Sequence, residues 1–91
     1  MAKFVIKKDG TKVPFDAEKI KRAIASAAQR VDLSEERRAE VVEQVLSSVI
    51  RLAEEKEEIA TAQLRAEVLS ELDAIEPSIS EAWRKYEQEK T

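Results

Sequence analysis

The sequence predicts a mainly helical fold in which a small N-terminal β-hairpin leads into a four-helix bundle. Three observations carry that expectation. Apolar residues recur at three- and four-residue steps along most of the chain, the period of helices with one buried face. Hydrophobic residues make up 43% and charged residues 38%, with one glycine and two prolines. That balance is too apolar for a disordered tail and too poor in turns for an all-β domain. The only glycine stands in Asp9-Gly10, between the arms Phe4-Val5-Ile6 and Lys12-Val13-Pro14-Phe15, a strong hairpin signal because glycine accepts a positive φ.

The hairpin is expected at about residues 3–14, with Pro14 marking its second arm as a short edge strand because proline cannot donate to a ladder. Asp16 then offers a carboxylate to the free N–H groups of a first helical turn. Helix one should run over about 17–31, with Ile20, Ala23, Ile24, Ala27 and Val31 on its inner face. Ser34, followed by Glu35 and Glu36, starts a second helix over about 35–56, since acids in a first turn suit the helix dipole. Its inner stripe reads Val42, Leu46, Val49 and Ala53, widened by Val45, Ile50 and Leu52, and the run from Glu54 to Glu58 reads as a solvated helix end and turn. A third helix is expected over about 61–72, carrying Leu64, Val68, Leu69 and Leu72. A fourth, over about 77–88, has Pro77 at its first position and Ile79, Ala82, Trp83 and Tyr86 on its inner stripe. The core is expected to unite Ile20, Ile24, Leu46, Val49, Val68, Leu72 and Trp83. At 91 residues the chain reads as one domain, 1–91, with a single modest core.

Composition removes whole classes of chemistry. The chain has no cysteine and no histidine, which excludes zinc ribbons, thiol nucleophiles and histidine bases. Adjacent acids such as Glu35 and Glu36 do not face one another on a helix, and one glycine cannot build a phosphate-cradling GxxxxGK[ST] loop. No enzyme activity is expected. No apolar run approaches the ~20 residues of a membrane span and no signal-like segment follows Met1, so a cytoplasmic location is expected and no membrane partner.

The formal net charge of −3 hides an asymmetry. Residues 1–30 hold eight basic and three acidic side chains, or +5, which leaves −8 for the remainder. An acidic body argues against nucleic acid as a partner, because duplex binding needs a basic face along much of the domain. A local anion site fits better. Lys7 and Lys8 end the first hairpin arm, where alternation prevents both from pointing the same way, and one should reach toward helix one. Lys19 stands in the first turn of that helix, where free N–H groups and the dipole already favour an anion. Converging lysines at a helix N-terminus are what a polyphosphate requires.

The stretch VIKKDGTKVPFDAEKIKRAI, residues 5–24, resembles the opening motif of the ATP-cone domain, the small regulatory nucleotide-binding module of ribonucleotide reductases and of the repressor of their genes. The likeness extends to Glu58, Ile59 and Leu64 and to the closing Ala82-Trp83-x-x-Tyr86. It implies a regulatory module that binds ATP or dATP and that acts allosterically on a separate protein partner, and a magnesium ion with the nucleotide stays open. By position it implies that Val5 with Lys7 and Lys8 forms one wall of the nucleotide pocket, the lysines toward the phosphates. Asp16 then falls near the ribose and base, Lys19 on the phosphates, and Thr61 at the start of helix three within reach of them. Two positions depart from the family pattern: Lys8 stands where arginine is usual, and Glu87 where the last helix often carries a basic residue. With neither redox cysteines nor a zinc ribbon, the chain reads as a free-standing module or one excised from a longer protein. Self-association stays open. The alternative is a helical protein-interaction module that has kept the fold and lost nucleotide binding.

Overall fold

The computed structural model describes residues 2–90. The expected hairpin is present: β1 (Phe4–Ile6) pairs antiparallel with β2 (Lys12–Pro14), Val5 opposite Val13. The turn closes where Gly10 N–H donates to the Lys7 carbonyl at 2.9 Å, with Gly10 at φ 86°, and Asp9 accepts from Thr11 N–H. Only a residue without a Cβ takes that φ freely. Lys7 and Lys8 belong to this turn and not to the strand.

The two-stranded hairpin is part of a three-stranded sheet. β3 (Glu58–Ala60) runs parallel to β1 on the side away from β2, Val5 opposite Ile59, giving the order β2-β1-β3. The expected solvated turn after the second helix is thereby corrected at its end, where Glu58 opens a strand. Lys12 and Glu58 form an ion pair at 2.5 Å, reaching across β1 from the two outer strands. Side chains alternate between the two faces. Val5, Ile59 and the half-buried Val13 therefore face the helices, while Phe4 on the other face is 41% exposed.

Four helices follow the expected order: α1 (Ala17–Gln29), α2 (Glu35–Glu54), α3 (Thr61–Ile75) and α4 (Pro77–Lys90). Each packs on its neighbours in a closed ring, α1 on α2, α2 on α3, α3 on α4 and α4 on α1. Asp16 and Ser34 cap α1 and α2 as their side chains suggest, accepting from Glu18 N–H at 3.0 Å and Arg37 N–H at 3.1 Å. Only Glu76 separates α3 from α4. Two adjacent arginines in the first turn of α2 close the ends of both flanking helices. Arg37 donates to the Ile75 carbonyl of α3 at 2.9 Å, and Arg38 to the Ala28 and Val31 carbonyls at the end of α1 at 3.1 and 2.7 Å. Helix ends leave carbonyls without intrahelical partners, and cationic donors satisfy them well.

The core unites Ile24, Val45, Val49, Ile59, Val68 and Leu72 with smaller residues between, and Ile20 and Trp83 pack against it half-buried. Three expectations are corrected. Leu46 lies outside this cluster, because the stripe of α2 runs through Val41, Val42, Val45, Val49 and Ala53 and leaves Leu46 at its border. On α1 Ala28 is buried where Ala23 is exposed. Tyr86, expected inside, is 47% exposed and lies along the surface between α1 and α4.

Candidate functional site

β1 bridges the starts of two helices. At its first residues Phe15 N–H donates to the Lys3 carbonyl at 3.0 Å, which sets the beginning of α1 beside the strand. At its far end Thr61 Oγ1 donates to the Ile6 carbonyl at 3.2 Å, which sets the beginning of α3 beside Lys7. The helix N-terminus nearest the lysine turn is therefore that of α3. The sequence had pointed to α1.

The starts of α1, α2 and α3 differ in how their N–H groups are satisfied. Those of α1 and α2 have side-chain caps. α3 leaves β3 without a loop, its N-cap is Ala60, and among the described residues no side chain accepts from its first turn. Gln63 Oε1 turns back to the Ala60 N–H at 3.1 Å and so closes the strand edge rather than the helix. Thr61, Ala62 and Gln63 are exposed, as are Lys7 and Lys8. Free N–H groups, the positive end of a 15-residue helix and two lysines together make a site for a polyanion.

The residues singled out from the sequence fall into two groups joined by β1. Lys7, Lys8 and Thr61 share the end of β1. Asp16 and Lys19 share the first turn of α1 at its beginning, a strand's length of about 10 Å away at ~3.3 Å per residue. Asp16 uses Oδ1 as the α1 cap, accepting from Glu18 and Lys19 N–H. Lys19 is exposed. Among the described residues no carboxylate forms an ion pair with Lys7, Lys8 or Lys19. Val5 lies between the groups with its side chain on the inner face, 9% exposed and packed in the core, so it supports the strand from below.

One pair was not foreseen. Arg65, one turn beyond Thr61 on α3, grips Glu87 of α4 through two parallel hydrogen bonds, Nε to Oε2 at 2.8 Å and Nη2 to Oε1 at 2.7 Å. The Arg65 guanidinium lowers the Glu87 carboxyl below the usual carboxylate range, burial opposes it, and the Trp83 indole one turn back adds to the lowering. Glu87 is the position where the sequence departs from the ATP-cone pattern, but its partner lies 22 residues away on another helix and no local spacing announces it.

Among the described residues no group of acidic side chains is arranged to hold a metal ion, and no helix is long and apolar enough to cross a membrane. Comparison with protein families matches residues 3–90 to the ATP cone domain. No curated protein matches the chain.

Proposed function

Because the chain belongs to the ATP cone domain family, whose members are non-catalytic regulatory modules that bind ATP or dATP, we propose that it binds one of these nucleotides without turning it over and passes that binding to a protein partner. The phosphates take the start of α3, with Lys7, Lys8 and Thr61 around them, and Lys19 approaches from α1. Asp16 caps the α1 turn that carries Lys19. Magnesium arrives with the nucleotide. The whole chain acts as one domain, in the cytoplasm, and the partner reads the change in its surface.

The observation that supports this reading most is the Thr61–Ile6 hydrogen bond, which holds the lysine turn against an uncapped helix start. Thermal melts with ATP, dATP and adenosine test it. A ligand at a hundred times its Kd stabilises the fold by about 2.7 kcal/mol, so ATP or dATP should raise the melting temperature clearly and adenosine much less. Replacing Lys8 by Ala should weaken the nucleotide by about 1.5 to 3 kcal/mol, the range for a charge-assisted contact. If no nucleotide shifts the melt, the reading is wrong and the interaction-module alternative takes its place.

A further inference from the structure

The lysine turn holds an aspartate directly before the only glycine. Asp9 Oδ1 accepts from the Thr11 N–H at 2.9 Å, so the side chain folds back over the Gly10 peptide and brings its carboxyl carbon beside the Gly10 nitrogen. The Thr11 hydroxyl and N–H hold that carboxyl below the usual carboxylate range, and the same donors draw electron density from its carbon. Gly10 has no side chain to shield its nitrogen. Among the described residues, no atom beyond its chain neighbours lies within 4 Å of the place a Cβ would take, so the space that a five-membered ring needs is open. One contact opposes closure: the Gly10 N–H donates to the Lys7 carbonyl at 2.9 Å, and a nitrogen held that way cannot turn toward the carboxyl.

The other aspartates, Asp16, Asp32 and Asp73, lack this combination. Asp16 also folds its carboxyl over the next peptide, accepting from the Glu18 N–H. The residue that follows it is Ala17, whose Cβ crowds the nitrogen and whose backbone is already the first residue of α1. Asp73 lies within α3, where regular helical dihedrals keep the next nitrogen in the ladder, and Asp32 precedes the branched Leu33. The chain has no asparagine, so no deamidation competes to give the same product.

We infer that Asp9-Gly10 is a site of spontaneous covalent modification, at which aspartate rearranges to isoaspartate at a rate gated by opening of the Lys7–Gly10 hydrogen bond. The Gly10 nitrogen attacks the protonated Asp9 carboxyl carbon, the N–Cγ bond forms, the C–O bond breaks, and the oxygen leaves as water with the carboxyl and amide protons. Water then opens the succinimide. Attack at Cγ restores aspartate, whereas attack at the main-chain carbonyl breaks its bond to nitrogen and leaves the chain running through Cβ and Cγ, with a new carboxylate on Cα. Nothing but water is consumed or returned. The product has one more main-chain atom between Lys8 and Gly10, which breaks both the Thr11 contact and the Lys7–Gly10 bond and releases Lys7 and Lys8 from the start of α3. This inference is independent of whether a nucleotide binds.

The full chain, aged at neutral pH below its melting temperature, tests it. Isoaspartate is counted by methyl transfer from S-adenosylmethionine with an isoaspartyl methyltransferase and located by peptide fragmentation. It should accumulate at Asp9 well ahead of Asp16, Asp32 and Asp73. The folded chain should react about two- to tenfold more slowly than the same chain unfolded in urea, the worth of one neutral hydrogen bond. Asp9→Glu should remove the label, because the extra methylene requires a six-membered ring. The rearranged chain, separated by ion exchange, should melt at a lower temperature than the parent. Isoaspartate absent from position 9, equal at the other aspartates, or retained in Asp9→Glu overturns the assignment of the site. Equal rates folded and unfolded overturn the gating, and an unchanged melt overturns the loss of the turn. The comparison among the four aspartates needs no variant, so it decides even if Asp9→Glu does not fold.

Discussion

Arg38 reaches back from the first turn of α2 and donates to the Val31 carbonyl at 2.7 Å, with a second bond to Ala28 at 3.1 Å. One side chain thereby closes the end of α1 and fixes the angle at which α2 leaves it. Replacing Arg38 by Ala leaves two partly buried carbonyls without a donor, and should cost about 1.5 to 3 kcal/mol. Arg38→Lys should recover only part of that, because an ammonium lacks the planar fork that spans two carbonyls. Urea denaturation of the three proteins measures both effects.

The second helix offers a test of where the core ends. Leu72 is fully buried, and Leu72→Ala should destabilise by about 2 to 5 kcal/mol. Leu46→Ala, at the border of the stripe, should cost clearly less. Equal losses in denaturant melts would mean that Leu46 belongs to the core after all.

At the junction of α3 and α4 the Arg84 guanidinium, with the Ser80 hydroxyl, holds the Asp73 carboxyl at about 2 against an ordinary 3.8. A carboxylate depressed in the folded state contributes stability that is present above its unfolded value and lost as pH falls toward the folded one. The contribution of Asp73 should therefore be constant from neutral pH down to about 4 and fade between there and about 2. Asp73 is exposed, so solvent screens the pair and the effect is small. Comparing the parent with Asp73→Asn across that range should show their stabilities converging as pH falls.

Thr61 carries a separate expectation. Its hydroxyl holds α3 to β1 at an exposed position, where a neutral hydrogen bond is worth about 0.5 to 1.5 kcal/mol. Thr61→Val should lose that much stability and, by loosening the lysine turn, weaken ATP as well. Thr61→Ser should restore both, read from melts and calorimetry.

Much of this was legible in the sequence because its causes are local. Asp9-Gly10 names its own turn, Asp16 and Ser34 stand directly before the helices that they cap, and Pro77 sits where a helix begins. What escaped depends on partners far along the chain. β3 has one buried residue, Ile59, within a charged run, and a three-residue strand becomes recognisable only when β1 lies beside it. The error at Leu46 has a different origin: α2 is apolar over a wide arc, and periodicity gives the face without giving its centre. Arg37, Arg38 and Arg65 look like surface charges until the carbonyls and the carboxylate that they meet are placed. In the candidate site the lysines could be read from the sequence, while the choice of α3 over α1 as the nearest helix start required the sheet.

The pairing of β1 with β3 joins Val5 to Ile59, 54 positions apart, and closing such a loop costs about 3.5 kcal/mol of chain entropy. The strand contacts alone are too few to offset that, so β3 can dock only after α1 and α2 have packed and brought the ends together. The bundle is then expected to form first and the sheet last, with the junction that carries Lys7, Lys8 and Thr61 assembled in the final step. Amide exchange should accordingly find β3 opening more readily than the helices beneath it. A ligand that bridges the lysine turn and α3 would act on the least stable part of the molecule, slowing that opening while the protection of Val45 and Leu72 stays as it was.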